Sequence, residues 1–484
     1  MSRSWHGAIL RGLVLGKGEG YQRGVSTRDT IPAQVPEAEP LVERLRAQDV
    51  EVVALSFMDN AGIARVKAVP LPRLAAAAAH GVGASPCFET YCFDDVMVIG
   101  TYLGGPDGDL RLVPDLDRLV PMAGQAGWAW APVDKFTQDG NRFAACQRAF
   151  AAAQVRAAAD RGLALRMGFE TEWALGMAGT DGEFVPAFEG PAYGLARLEQ
   201  VAEYARELLA VLGAQGLHVL QFHPEYAAGQ LELSLAATDP VAAADEVVLV
   251  RHSVRRVSAL SGWRASFAPC VVPGAVGSGA HLHLSVSSTE EEGAARSLFT
   301  GGAGPHGLHP AGEAFLAGVL RELPALVAIG AGSPASFLRA EPSRWAGVWQ
   351  AWGHETREAA VRLVTGVVGT GQWAANAEVK CFDATANPYL LVGSVIAAGL
   401  AGVDDGLRLP EPITGDPALR ENPGVRRLPS SGLEAAEALA GSAVLAKAMG
   451  EVLHDTVLTV RRAESERFAD TSPENLAELT RWRW

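Results

Sequence analysis

Four short segments place acids and imidazoles at every second position. In Phe169-Glu170-Thr171-Glu172-Trp173 the two Glu alternate with other residues, and in Leu231-Glu232-Leu233-Ser234-Leu235 Glu232 stands against a run of Leu. His281, His283 and Ser285 alternate in His281-Leu282-His283-Leu284-Ser285, as do Glu378 and Lys380 in Glu378-Val379-Lys380-Cys381-Phe382. Side chains at i and i+2 of a strand share a face, so each segment presents its polar groups together. Glu225 precedes Glu232 across Ala228-Gly229-Gln230, and Gly277-Ser278-Gly279 leads into the His segment, where bare backbone can approach a ligand closely.

One such strand alone is what a half-wetted antiparallel strand looks like. The set is different, because its polar positions are five Glu, two His and one Lys instead of a solvated mixture. Carboxylates gathered in one place repel one another unless cations offset them. Oxygen-rich ligand sets with an occasional imidazole suit Mg²⁺ or Mn²⁺, whereas zinc would favour Cys or several His. Five Glu and one His suffice for two divalent ions with three protein ligands each, and two hard cations point to phosphoryl chemistry. Arg339 in Ser336-Phe337-Leu338-Arg339, and Arg357 and Arg362 flanking an Ala/Val run, add planar guanidinium groups suited to carboxylate and phosphate.

These segments need a scaffold, and the rest of the chain indicates one. Glu51–Met58, the turn Asp59-Asn60-Ala61-Gly62 and Ile63–Val69 predict a hairpin. Further strands are expected at Val96–Tyr102 and Leu110–Val113, and Pro121–Asp139 reads as a connection. Beyond about residue 140 helices alternate with short strands: Ala144–Arg161, Leu195–Leu212, Pro240–Leu260, Ala311–Gly330, a helix capped by Asn387 with Pro388 at its first position, and 433–465. The pattern is α+β, with a loose N-terminal extension over 1–38, one domain over 39–140 and a larger one over 141–484.

The 484 residues are 48% hydrophobic and 20% charged, which is a globular composition. A net charge of −14 argues against a nucleic-acid binder and against docking on an anionic membrane. Five Cys without a paired motif fit reduced thiols, and neither a signal-peptide core nor a run long enough to span a bilayer is visible, so a cytoplasmic protein is expected. No glycine-rich phosphate loop lies between a strand and a helix.

The ordered set of motifs resembles the glutamine synthetase family over roughly residues 45–465. The segments that carry the resemblance are Gly168–Glu172, Glu225-x4-Gln230-x-Glu232, Gly277–Ser285, Ser336-x-x-Arg339, Arg357-x4-Arg362 and Glu378-x-Lys380-x-x-Asp383-x3-Asn387-Pro388-Tyr389. The resemblance implies an N-terminal β-grasp domain followed by a catalytic domain whose curved antiparallel sheet forms a funnel for ATP and two Mg²⁺ or Mn²⁺ ions. On it, Glu172, Glu225 and Glu232 hold one ion, and Glu170, His281 and Glu378 hold the other. His283 and Ser285 contact ATP, Arg357 and Arg362 face the transferred phosphoryl group, and Arg339 grips the amino-acid carboxylate beside Gly277. The implied assembly is a homo-oligomer, a dodecamer of two hexameric rings.

The departures from the family pattern bear on the substrate. Where family members that use ammonia carry a Glu, this chain has Trp345, which accepts no proton but can pack on an organic amine or offer it a cation–π face. That loss resembles the gamma-glutamylpolyamine synthetase branch. Lys380 stands where the family has Arg, and Val276 where it often has Asn. The acidic residue that a neighbouring subunit donates to the amine site is left open between Asp94 and Asp95. No Tyr lies beyond Tyr389, so control by adenylylation of a C-terminal Tyr is expected to be absent. The function expected is ATP-dependent joining of a carboxylate, the glutamate γ-carboxylate, to an organic amine; an ammonia-using glutamine synthetase and a non-catalytic structural relative are the alternatives.

Overall fold

A computed structural model describes residues 30–31, 38–177, 183–289, 296–419 and 425–484. The extension expected over 1–38 lies outside the described residues except at Thr30, Ile31 and Ala38. Strands β1 (Val52–Met58), β2 (Ala64–Pro70), β3 (Val82–Ala84), β4 (Leu110–Pro114), β5 (Val120–Pro121) and β6 (Trp128–Thr137) form a sheet in the order β2-β1-β6-β4-β3, with β5 on β6. Helices α1 (Ala38–Arg46) and α2 (Leu74–His80) cover one face. There Val42, Leu45 and Leu74 pack on Val53, Leu55 and Phe57. The alternate residues Ala54 and Met58 point the other way and join the core of the second unit. With β1 and β6 parallel at its centre, this is a β-grasp unit.

Two expectations fail in this unit. Pro121–Asp139 is not a connection, because it contains β6, the longest strand of the sheet. Pro132 disguises it, and Pro132 falls where β6 changes partner, pairing β1 up to that residue and β4 after it. Val96–Tyr102 is not a strand. Its C-terminal end is pinned by side chains instead: Thr101 N–H donates to Asp455 Oδ2 at 2.9 Å and Tyr102 OH to Glu451 Oε2 at 2.9 Å.

The second unit is built on β7 (Leu163–Met177), β8 (Val219–Pro224), β9 (Gln230–Leu235), β10 (Trp263–Ser266), β11 (Ala280–Ser288), β12 (Arg296–Ser297), β13 (Trp349–His354), β14 (Ala359–Val364), β15 (Asn376–Val379) and β16 (Arg426–Arg427). They pair in the order β16-β13-β14-β15-β11-β7-β9-β8, with β10 on β7 and β12 on β11, in a mostly antiparallel, curled sheet. Its helices are α3 (Gln147–Ala159), α4 (Leu195–Gln200), α5 (Ala202–Ala214), α6 (Pro240–Leu260), α7 (Pro310–Gly330), α8 (Ser336–Arg339), α9 (Gly371–Ala374), α10 (Pro388–Asp404), α11 (Gly432–Gly441), α12 (Ala443–Arg467) and α13 (Pro473–Thr480). The Asn387 side chain caps α10, accepting from the Tyr389 and Leu390 N–H groups. The helix expected over Leu195–Leu212 is broken at Val201, whose φ of −111° and ψ of 13° leave the helical region. The one expected over 433–465 is two, because Ser442 closes α11 and caps α12.

Buried charge fastens the two units together. Arg148 of α3 binds Asp115 at 2.7 Å, Asp134 of β6 at 3.2 Å and Asp245 of α6 at 3.0 Å, and the Tyr389 hydroxyl donates to Asp245 at 2.7 Å. Lys135 of β6 pairs with Glu89 and donates to Gln147 at 2.8 Å, while Gln147 donates to Asn60 at 2.7 Å. Lys135 and Glu89 are fully buried, so removing one partner strands the other. Lys135→Met is expected to cost about 3–5 kcal/mol, read as a lower urea midpoint. Lys135→Met with Glu89→Gln should recover most of it; a single variant as stable as the parent would remove this pair from the interface.

Candidate active site

Strand register brings the acids together. Across the sheet Glu172 of β7 faces Glu232 of β9, and Glu232 faces His223 of β8. Glu170 faces His281 of β11, His283 faces Glu378 of β15, and Glu378 faces Arg362 of β14. The alternate residues Phe169, Trp173, Leu231, Leu233, Leu282 and Leu284 are buried in the core beneath. The polar side chains cannot swap faces without pulling this core apart.

The contacts are close. His281 Nδ1 lies 3.2 Å from both Glu170 Oε2 and Glu378 Oε1, and its Nε2 lies 4.0 Å from Glu172. His283 Nε2 is 3.3 Å from Glu170 Oε1, and its Nδ1 is 2.8 Å from Asn376 Oδ1. Lys380 Nζ donates to Glu378 Oε1 at 3.0 Å, and Arg362 Nη1 to Glu378 Oε2 at 3.0 Å. On the other side His223 Nε2 is 3.2 Å from Glu232 Oε1, and its Nδ1 is 3.5 Å from Glu225 Oε1. Gln230 donates to Glu172 Oε2 at 2.7 Å. Arg339 Nη2 reaches within 3.4 Å of His281 Nε2. The approach is possible because residue 279 is Gly: a Cβ there would sit 2.6 Å from Arg339 Nη2 and 2.8 Å from His281 Nε2. Ser285 shares the face of His281 and His283 further along β11, opposite Arg166.

Electrostatics follow from this packing. Burial opposes ionisation of Glu170, but the bonds from His281 and His283 outweigh it and hold the carboxyl far below its usual range. Glu378 is likewise held low against burial, by His281 and Lys380. Burial and then Lys380 work against a charge on His281, yet Glu170 and Glu378 raise it to about 9. His223 is raised to about 9, chiefly by its bond to Glu232. Glu225 and Glu232 are raised, first by burial.

Among the described residues, ligand atoms come within 4.8 Å of one another inside each of two groups: Glu170, His283 and Glu378, and His223, Glu225 and Glu232. Hard carboxylate oxygens with one imidazole in each are a donor set that fits a divalent ion. Their membership differs from the sets implied by resemblance. His283 joins the first group, with His281 bridging between Glu170 and Glu378. His223 joins the second, with Glu172 beside Glu232. His223 was missed in the sequence, although Gln221 and His223 alternate on the strand before Glu225. Tyr193, whose side chain bonds Glu225, was also missed, and no spacing points to it.

Trp345 is not a core residue. It is 54% exposed and has a left-handed φ of 56°, and Arg357 lies 5.6 Å from the centroid of its ring. The turn is held from beneath: the Trp345 N–H donates to Oε1 of buried Glu358 at 2.9 Å, and Oε2 of Glu358 is buried without a partner. Asp94 pairs with Arg467, and Asp95 with Arg65 and Arg483.

Comparison with known proteins now adds to the geometry. Residues 36–141 match the model of the glutamine synthetase N-terminal domain, and residues 144–478 that of the glutamine synthetase catalytic domain. The chain is 51% identical over 461 residues to Gamma-glutamylpolyamine synthetase GlnA3 of Streptomyces coelicolor, covering 94% of this chain and 98% of the relative. It is 26% identical to Gamma-glutamylanilide synthase of an Acinetobacter species, over 92% of this chain and 93% of that one. A solved structure described as a novel glutamine synthase homolog superposes with a TM-score of 0.78 at 31% identity, covering 89% of this chain and 98% of the other.

Protonation of the two imidazoles sets a pH dependence. Both rise from 6.5 to about 9, so the stability they lend the ion-free fold is complete below about 6.5 and is lost as pH rises through about 9. A divalent ion that takes the same carboxylates must displace those protons. Mn²⁺ affinity should therefore rise between about pH 7 and 9, by up to roughly tenfold per unit for each proton released. Calorimetry in buffers of different ionisation heat checks this, and an affinity flat over that range would separate the imidazoles from the ion.

Proposed function

The chain belongs to the glutamine synthetase family, and from that premise we propose that it joins the γ-carboxylate of glutamate to an organic amine, with polyamines as the preferred class. It is an ATP-dependent carboxylate–amine ligase, and ATP with a divalent metal is what ligases of this family use. The observation that carries the amine is the 51% identity to a gamma-glutamylpolyamine synthetase over nearly the whole of both chains. The exposed Trp345, where an ammonia-using member carries Glu, agrees with it.

The reaction needs activation, because a carboxylate is anionic and does not react with an amine. Attack of a γ-carboxylate oxygen on the γ-phosphorus of ATP forms an acyl phosphate and releases ADP. The amine nitrogen then attacks the acyl carbon, loses a proton and expels phosphate. In our reading Glu172, Glu225 and Glu232, with His223 among them, hold one Mg²⁺ or Mn²⁺, and Glu170, His281 and Glu378 hold the other. These ions would supply charge neutralisation at the phosphates. Arg362, anchored by Glu378 and by Glu355 at 2.7 Å, and Arg357 present cations to the phosphoryl group in transfer. His283 and Ser285 line the ATP side. Arg339 and Lys380 receive the amino-acid carboxylate, with Gly277 leaving room for the Arg339 side chain. Trp345 offers its ring to the amine. We extend the reading to a cytoplasmic ring oligomer of the family's double-hexamer kind; among the described residues no helix is long and apolar enough to cross a membrane.

Phosphate release from ATP with Mg²⁺ and glutamate, across ammonium, putrescine, spermidine, ethanolamine and aniline, tests the proposal. A polyamine should give the highest kcat/KM. Ammonium as the best acceptor would make the protein an ordinary glutamine synthetase, and no amine-dependent release would leave a non-catalytic relative. A cation–π face is worth about 0.5–2 kcal/mol, so Trp345→Ala should raise the polyamine KM roughly two- to thirtyfold and leave the ATP KM unchanged. Glu358→Ala, which frees the Trp345 turn, should move the same KM in the same direction, while Glu358→Gln, which keeps an acceptor, should not.

A further inference from the structure

A second cleft, of about 400 Å³, lies between the β-grasp sheet and α6. It shares no residue with the acid-bearing strands. Its charged side chains are one-sided: Arg65 of β2, Arg251 and Arg255 of α6, and Arg483, beside a His252 that burial lowers to about 4, with no Asp or Glu among the lining residues. This is notable in a chain of net charge −14.

Two of these cations are already matched. Arg65 binds Asp59 and Asp95, each at 2.7 Å, and Arg483 binds Asp95 at 3.2 Å. Arg251 and Arg255 are different. Arg251 is buried and donates to the Ala386 carbonyl at 3.2 Å, and Asp383 is the acid whose charge acts on it. Arg255 lies 5.1 Å from the centroid of the Phe267 ring. Burial lowers both, Arg251 to about 9 with help from Arg255, and Arg255 to about 10. Three buried side-chain nitrogens of the lining residues also lack a partner: Arg65 Nη2, Arg251 Nε and His252 Nε2. Burying a guanidinium without an anion is costly, and proteins ordinarily pair it.

The walls complete the site. Trp128 and Trp130 of β6 line it with Trp484 and Met122, and Trp130 is fixed by donating to Ser56 Oγ at 2.7 Å. The volume suits a small metabolite. Guanidinium groups recognise carboxylate and phosphate oxygens in pairs, and indole rings favour a flat or apolar body. We infer that this cleft binds a small organic anion with at least two anionic oxygens, which reach Arg251 and Arg255 while its body rests against the tryptophans. Such a ligand bridges the two units of the chain at a place separate from the ligase chemistry.

The test uses the full chain with Mg²⁺ and ADP at saturation, so that the nucleotide site is filled. Tryptophan fluorescence and melting temperature are followed in two arms, one with succinate and phthalate, the other with inorganic phosphate and phenyl phosphate. At least one arm should give saturable binding that raises the melting temperature, and the arm that does so distinguishes carboxylate from phosphate. Arg255→Gln and Arg251→Met should each weaken that binding by about tenfold or more. Without anion, Arg255→Gln should melt at or above the parent temperature, since it removes a half-buried charge that no carboxylate pairs. If Arg251→Met fails to fold, Arg255→Gln carries the test alone. No saturable response in either arm, or a response unchanged in Arg255→Gln, overturns the inference. Ligase activity is not read, so the outcome is independent of the proposed function.

Discussion

Repulsion among five carboxylates on one face of a sheet is the constraint around which this protein is arranged. Glu170, Glu172, Glu232 and Glu378 occupy neighbouring positions on three strands, and Glu225 adjoins them through His223. Without bound cations the chain offsets their charge with its own: His281 and His283 between Glu170 and Glu378, Lys380 and Arg362 on Glu378, and His223 on the far pair. The strands tolerate this because their opposite faces are locked in a Leu, Phe and Trp core. Stability stored in that core holds charges where water alone would not gather them.

The N-terminal unit serves the same end from a distance. Its sheet turns one face to its own helices and the other to the second unit, and buried ion pairs centred on Arg148 and Lys135 fix the contact. These networks set geometry as well as strength, because each requires three or four groups to arrive together. The same interface leaves the arginine-lined cleft beside α6. One junction therefore contains both well-matched buried charge and poorly matched buried charge, and the contrast distinguishes fastening from binding.

The acid-bearing strands were legible in the sequence because two-residue periodicity survives in them and their residue types are unusual. Capping made α6 and α10 legible: Asp239 and Asn387, each followed by Pro, fix their starts. What escaped has physical causes. β6 carries Pro132 inside it, which reads as a break until the change of neighbour at that residue is known. β13 lies between the arginine motifs and β14 carries Arg362 of the second, and no periodicity was read in either; they run parallel to each other, with β14 wholly or partly buried along its length. His223 and Tyr193 gained their roles from cross-strand and loop contacts, which depend on register and not on spacing. Glu358 is silent in sequence because it acts on the backbone of Trp345 and not through a pattern.

The position of Lys380 shows how a conservative change can alter such a site. Its ammonium is a point donor, fully buried and directed at Glu378 Oε1, the same oxygen that His281 approaches. An Arg at this position would present a planar fork able to engage two oxygens at once. Lys380 engages one, so any cation that Glu378 accepts competes with it for that oxygen, and the ammonium is then free to turn towards an anionic substrate. Charge on Glu378 and charge available to substrate are thereby coupled through a single flexible side chain. Trp345 completes the contrast: position 345 carries an exposed ring instead of an acid, while the turn that displays the ring is held by a buried acid, Glu358, beneath it. In the reading proposed above, carboxylates stand where cations would be gathered, and Trp345 takes the place of one on the surface that an organic amine would meet.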